Sequence, residues 1–140
     1  MASAWFRKGI TDLVGGNLDI DGTTSHPIRA ELVTSQNIDF STAVYLSNVT
    51  RTDAGNNVDV PDAMRVSSTA FEFGAAAGTL AFTTVTADAI AKGIVIYHSA
   101  DEDAAACPLI VYDEFSGSVT ADGGTMTITL DGDGWGKATY

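Results

Sequence analysis

Apolar residues recur at every second position in several segments of this chain, and that spacing predicts strands. Ile28, Ala30 and Leu32 alternate with Arg29 and Glu31, the pattern of a half-buried strand across Ile28–Val33. Ile90 to Tyr97 contains the continuous apolar run Gly93-Ile-Val-Ile-Tyr97, which suits a central strand covered on both faces. Pro108-Leu-Ile-Val-Tyr-Asp113 reads as a second buried strand. Gly123-Gly124 signals a turn into Thr125–Leu130, where Met126, Ile128 and Leu130 point inward and threonines decorate the other face. Ser68–Phe73, the Leu80–Phe82–Val85 stretch and Trp135–Tyr140 complete the set, while Thr52–Pro61 is expected to be a loop or a bulged edge.

Helical spacing is confined to two places. Phe6, Ile10, Leu13 and Val14 fall at i, i+4, i+7 and i+8 and predict one apolar helix face, ended by Gly15-Gly16. Asp39 can cap a second short helix through Phe40, Ala43, Val44 and Leu46, with strand as the alternative for Val44–Leu46. Strands separated by turns, without strand–helix alternation, indicate an all-β fold, mainly an antiparallel sandwich or barrel. Residues 1–140 read as one β-rich domain in which residues 1–16 form a helical or extended N-terminal arm. Trp5 and Phe6 flank no evident strand, so they are the candidate intersubunit contacts. Deleting Met1–Lys8 is expected to weaken assembly more than folding.

Charge narrows the possible partners. Eighteen acidic residues against seven basic ones give a formal net charge of −11. Nucleic-acid binding needs clustered cations to displace counterions from phosphates, and Arg7-Lys8 is the only adjacent basic pair. Neither nucleic acid nor an anionic membrane is therefore an expected partner. The start, Met1-Ala-Ser-Ala-Trp-Phe-Arg-Lys, lacks the apolar stretch of a signal peptide, and assembly in a cytoplasm is expected.

Candidate chemistry is sparse. Cys107 is the single cysteine; it lies beside Ala104–Ala106 and before Pro108, with no cationic setting to lower its pKa, and reads as structural. His26 and His98 have no matching carboxylate or cysteine pattern for a metal. Asp19-x-Asp21-Gly22, Asp101-Glu-Asp103 and Asp131-Gly-Asp133 lack the ligand spacing of a calcium loop and read as turns. No catalytic, cofactor-binding or metal residues are expected, and no cofactor.

The N-terminal helix, Asp19-Ile-Asp21, Ile28-Arg-Ala-Glu-Leu32, Phe82-Thr-Thr-Val85, Gly93-Ile-Val-Ile-Tyr-His98, Cys107-Pro-Leu-Ile-Val-Tyr112 and Val119–Leu130 follow one another in a fixed order. Together they resemble a family of small structural proteins encoded by tailed bacteriophages, the capsid decoration and tail-associated proteins. Thr50–Met64 departs from the family pattern. The resemblance implies a non-catalytic virion protein, assembled in the host cytoplasm and homo-oligomeric, with a trimer favoured. Its implied partners are the major capsid protein or other virion subunits. Capsid cement is the first expectation, and a tail, neck or fibre-base subunit the second. A carbohydrate-binding sandwich is a further alternative; it needs two of Trp5, Tyr45, Trp135 and Tyr140 clustered on one exposed face.

Overall fold

The computed structural model describes residues 2–15, 28–34, 38–60, 64–66, 70–73, 78–99, 103–130 and 136–139. Strands β1 (Ala2–Trp5), β2 (Ile28–Val33), β3 (Asn57–Asp59), β4 (Met64–Val66) and β5 (Ala70–Phe73) are followed by β6 (Thr79–Phe82), β7 (Ile90–His98), β8 (Leu109–Thr120), β9 (Met126–Thr129) and β10 (Gly136–Thr139). Among the described residues there is one α-helix, α1, spanning Arg7–Val14. Every strand pairing among the described residues is antiparallel. The main sheet has the order β1-β8-β7-β2-β3, a second sheet the order β10-β5-β4, and β6 pairs with β9. The fold is all-β with one short N-terminal helix, as the alternation predicts.

The main sheet is covered on both faces. On one, Ile28, Ala30 and Leu32 of β2 join Ala91, Ile94 and Ile96 of β7 and Ile110 and Val111 of β8. The β6–β9 pair closes this face with Leu80 and Phe82, together with Val85 and Leu130. On the other, Val33, Val95, Tyr97, Leu109 and Tyr112 meet Phe6, Ala43, Leu46, Val49 and Cys107. Irregular segments around residues 38–49 and 103–108 supply most of that second cover. A bulge in β8 reconciles the two faces: Ile96 pairs with Val111 and Tyr97 with Leu109, leaving Ile110 as the extra residue. Ile110 and Val111 therefore both enter the first cluster, which strict alternation would forbid.

The N-terminal segment is not an arm. Ala2–Trp5 pairs antiparallel with β8, Trp5 opposite Val111, and Phe6 is fully buried in the second cluster. Short length and small side chains hid this strand from the alternation pattern. The predicted helix forms, but with a different buried face. Gly9 and Asp12 are buried, whereas Ile10 is 45% exposed and Val14 83%. The cause is close approach to β8: a Cβ on Gly9 would lie 2.6 Å from both Ile110 Cα and the Leu109 carbonyl oxygen. Only glycine lets the helix backbone rest there. Asp12 is paired with Lys8 one turn earlier.

The expected helix across Phe40–Leu46 is absent. Asp39 does cap, accepting from the Ser41 amide at 2.9 Å and the Ser41 hydroxyl at 2.6 Å, but the result is a single turn. Asn48 Oδ1 then accepts from the amides of Val44 (3.0 Å) and Tyr45 (2.8 Å), fixing a 3₁₀ turn at Leu46–Asn48. Tyr45 bridges Pro108 in the extended conformation. Local side-chain acceptors outcompete the helix here, as Asp and Asn commonly do.

Candidate functional site

Two surface features stand out, one polar and one apolar. The polar one is built by strand register on the second face of the main sheet. Arg29 faces Tyr97 on one side and Asp59 on the other; Glu31 faces Val95 and Asn57; Val33 faces Gly93 and is bridged to Arg51. Residues 29, 31 and 33 share a face because side chains alternate along a strand. Leu46, Ala104 and Cys107 from the covering segments wall the space above Arg29, Glu31, Arg51 and Tyr97, leaving a cavity of about 170 Å3.

Glu31 is the unexpected member. Alternation assigns it to a solvated face, yet it is 1% exposed. Its Oε1 accepts from the Gly55 amide at 2.8 Å and lies 3.6 Å from the Arg51 guanidinium. Burial pushes its pKa above the usual 4.5 against the opposing pull of Gly55 and Arg51, and Asp53 adds to the rise. Tyr97 is also raised, by burial first and then by Glu31, so its phenol stays protonated. The sequence did carry a signal: Ile94–Tyr97 reads as covered on both faces, and its ladder neighbour shares that cover.

Arg29 donates Nε to Asp59 at 2.9 Å and Nη1 to Ser99 at 3.4 Å. Asp53 holds the rim loop in place. It accepts from the Thr86 amide and hydroxyl, each at 3.2 Å, and from Asn56 at 3.2 Å, which lowers its pKa. Cys107 is buried, 2% exposed, as part of the wall.

The apolar feature is a groove lined by Trp5, Arg7, Ile10, Thr11, Phe40 and Ser41. The Arg7 amide donates to the Phe40 carbonyl at 3.0 Å, tying α1 to the Asp39 turn along this groove. Beside it runs β1, one of the two edge strands of the main sheet. Of the two candidate contacts, Trp5 is half-buried and lines the groove, while Phe6 lies wholly within this chain's own core.

The three acidic clusters and His26 fall outside the described residues apart from Asp103, as do Trp135 and Tyr140. Among the described residues no group of three or more His, Cys, Asp or Glu gathers as a metal site, and no helix is long and apolar enough to cross a membrane. No family model, curated protein or solved structure matches this chain.

Proposed function

We propose that the chain is a non-catalytic structural component of a tailed-phage particle, a capsid cement protein that bridges coat subunits. The observation that supports it is the groove of Trp5, Ile10 and Phe40 beside the edge strand β1. An uncharged, proline-free edge is a template for another chain, and an apolar groove next to it adds side-chain area to the same contact. The order of segments that resembles decoration and tail-associated proteins supplies the particle.

A cement protein prefers assembled shells, because the surfaces it bridges meet only in the lattice. It then stabilises the shell by mass action, binding the assembled state and not the dissociated one. The test is add-back to particles made without the protein, with shell rupture followed on heating. The expected result is binding to shells, a raised rupture temperature, and no comparable binding to free coat subunits. Ile10→Asp should weaken shell binding while leaving the fold intact, since Ile10 is 45% exposed. Protein found in tails and not on shells would move the reading to a tail, neck or fibre-base subunit. Absence from purified virions would sink both.

A further inference from the structure

We propose that the cavity beside Tyr97 is a binding site for a single carboxylate group, clamped between Arg29 and Arg51. Two of the seven cations in a chain with 18 acidic residues line this one small space. Both are placed by the fold: Arg29 by its register opposite Tyr97, Arg51 by its bridge to Val33. Neither is saturated among the described residues. Arg29 uses Nε and Nη1 at the rim, leaving Nη2, and the contact of Arg51 with Glu31 at 3.6 Å is too long for a paired hydrogen bond.

Size and charge select the ligand. A volume of about 170 Å3 corresponds to roughly five or six waters at about 30 Å3 each, enough for an acetate-sized group. Asp59 already matches Arg29 at the rim and Glu31 lies beside Arg51, so the remaining donors of the two guanidiniums, not a surplus of positive charge, receive the ligand, and a monoanion adds the least negative charge. A phosphate dianion would leave excess negative charge against buried Glu31. A guanidinium fork also matches the planar geometry of a carboxylate better than a spherical halide. Glu31 is then a resident competitor: it occupies part of Arg51 and repels the incoming anion. This site does not depend on the virion reading.

The experiment titrates the intact protein with sodium acetate against sodium chloride at matched ionic strength. Chemical shifts of the Arg29 and Arg51 Nε–H groups and of the Gly55 amide are the readout. Saturable acetate-specific shifts at these three groups are expected. Arg29→Gln and Arg51→Gln should each weaken binding about ten- to hundredfold, the usual effect of losing a charged hydrogen bond. Glu31→Gln should tighten it severalfold, a gain that a merely structural Glu31 would not give, and this variant guards against misfolding of the arginine ones. Sedimentation of the same variants distinguishes the source of the carboxylate. Self-association lost in Arg51→Gln and competed by acetate assigns it to an acidic side chain of a second copy; unchanged sedimentation assigns it to a free small carboxylate. Equal shifts with chloride, or weaker acetate binding in Glu31→Gln, would overturn the proposal.

Discussion

The two faces of the main sheet are closed in different ways. Regular strands close the first: β6 brings Leu80 and Phe82, and β9 brings Met126 and Ile128, to the cluster of Ile94, Ile96 and Ile110. The second is closed by a turn at Asp39, a 3₁₀ turn at Leu46–Asn48 and the segment leading into Pro108, helped by Phe6. A strand pair fills its face with side chains at a fixed two-residue period. Irregular cover cannot keep that period, and where it fails to fill, a cavity with Glu31, Arg29 and Arg51 remains. The first face therefore carries stability, and the second carries the polar chemistry.

The largest expected effect tests the first half of that contrast. Phe82, the last residue of β6, is fully buried against the main sheet. Phe82→Ala should cost about 3–5 kcal/mol, the usual range for an aromatic truncated in a core. Urea unfolding measures it. A loss well under 1 kcal/mol, a range typical of surface substitutions, would mean the β6–β9 pair is a loose flap.

An intermediate effect is expected at the N-terminal end of the second cover. Gly9→Ala places a methyl group 2.6 Å from Ile110 Cα and the Leu109 oxygen, both backbone atoms that cannot swing aside. Alanine is the better helix former, and on an exposed helix the change would stabilise. Here overpacking should dominate and destabilise by about 1–3 kcal/mol. The sign alone decides: a stabilised variant would show that α1 does not rest on β8. The same logic corrects the expectation for Met1–Lys8. Removing a paired strand and buried Phe6 should cost folding at least as much as assembly.

Legibility in the sequence follows the same division. Ile28–Val33 and the Met126–Ile128–Leu130 segment were readable because their sequences alternate apolar and polar residues, and Ile90–Tyr97 because its apolar run is continuous. Phe6–Ile10–Val14 misled because helical spacing reports only side-chain hydrophobicity. The helix in fact seats its backbone on β8 through Gly9, a contact with no side chain to count. Phe40–Leu46 misled because the acceptor that ends the helix, Asn48, sits beyond the apolar pattern. The polar cavity could not be read as a unit. Arg29, Arg51 and Tyr97 are distant in sequence, and only the ladder from β2 to β7 with the Val33–Arg51 bridge brings them together.

The smallest effect sharpens the second half of the contrast, because a buried acid should leave a mark on the pH dependence of stability. The pKa of Glu31 is higher folded than its usual 4.5, chiefly because burial disfavours its charge. Just above that value the folded chain binds more protons than the unfolded one, so stability rises as pH falls through the folded pKa. The gain is complete below the unfolded pKa and is lost as pH rises. Asp39 and Asp53 act the other way. Hydrogen bonds from Ser41 hold Asp39 at about 2 against a usual 3.8, and Asn56 and Thr86 lower Asp53. Their contributions are present above the usual value and fade as pH falls below it, so the two windows separate. Glu31→Gln keeps the acceptor for the Gly55 amide but cannot ionise. The variant should therefore lose the rise in stability on the acidic side of neutrality while retaining the fall at lower pH. Urea midpoints of both proteins from roughly pH 7 down to pH 3 span both windows. Parallel curves above pH 4.5 would mean that Glu31 is hydrated as it folds, and that the second face is open where the structure closes it.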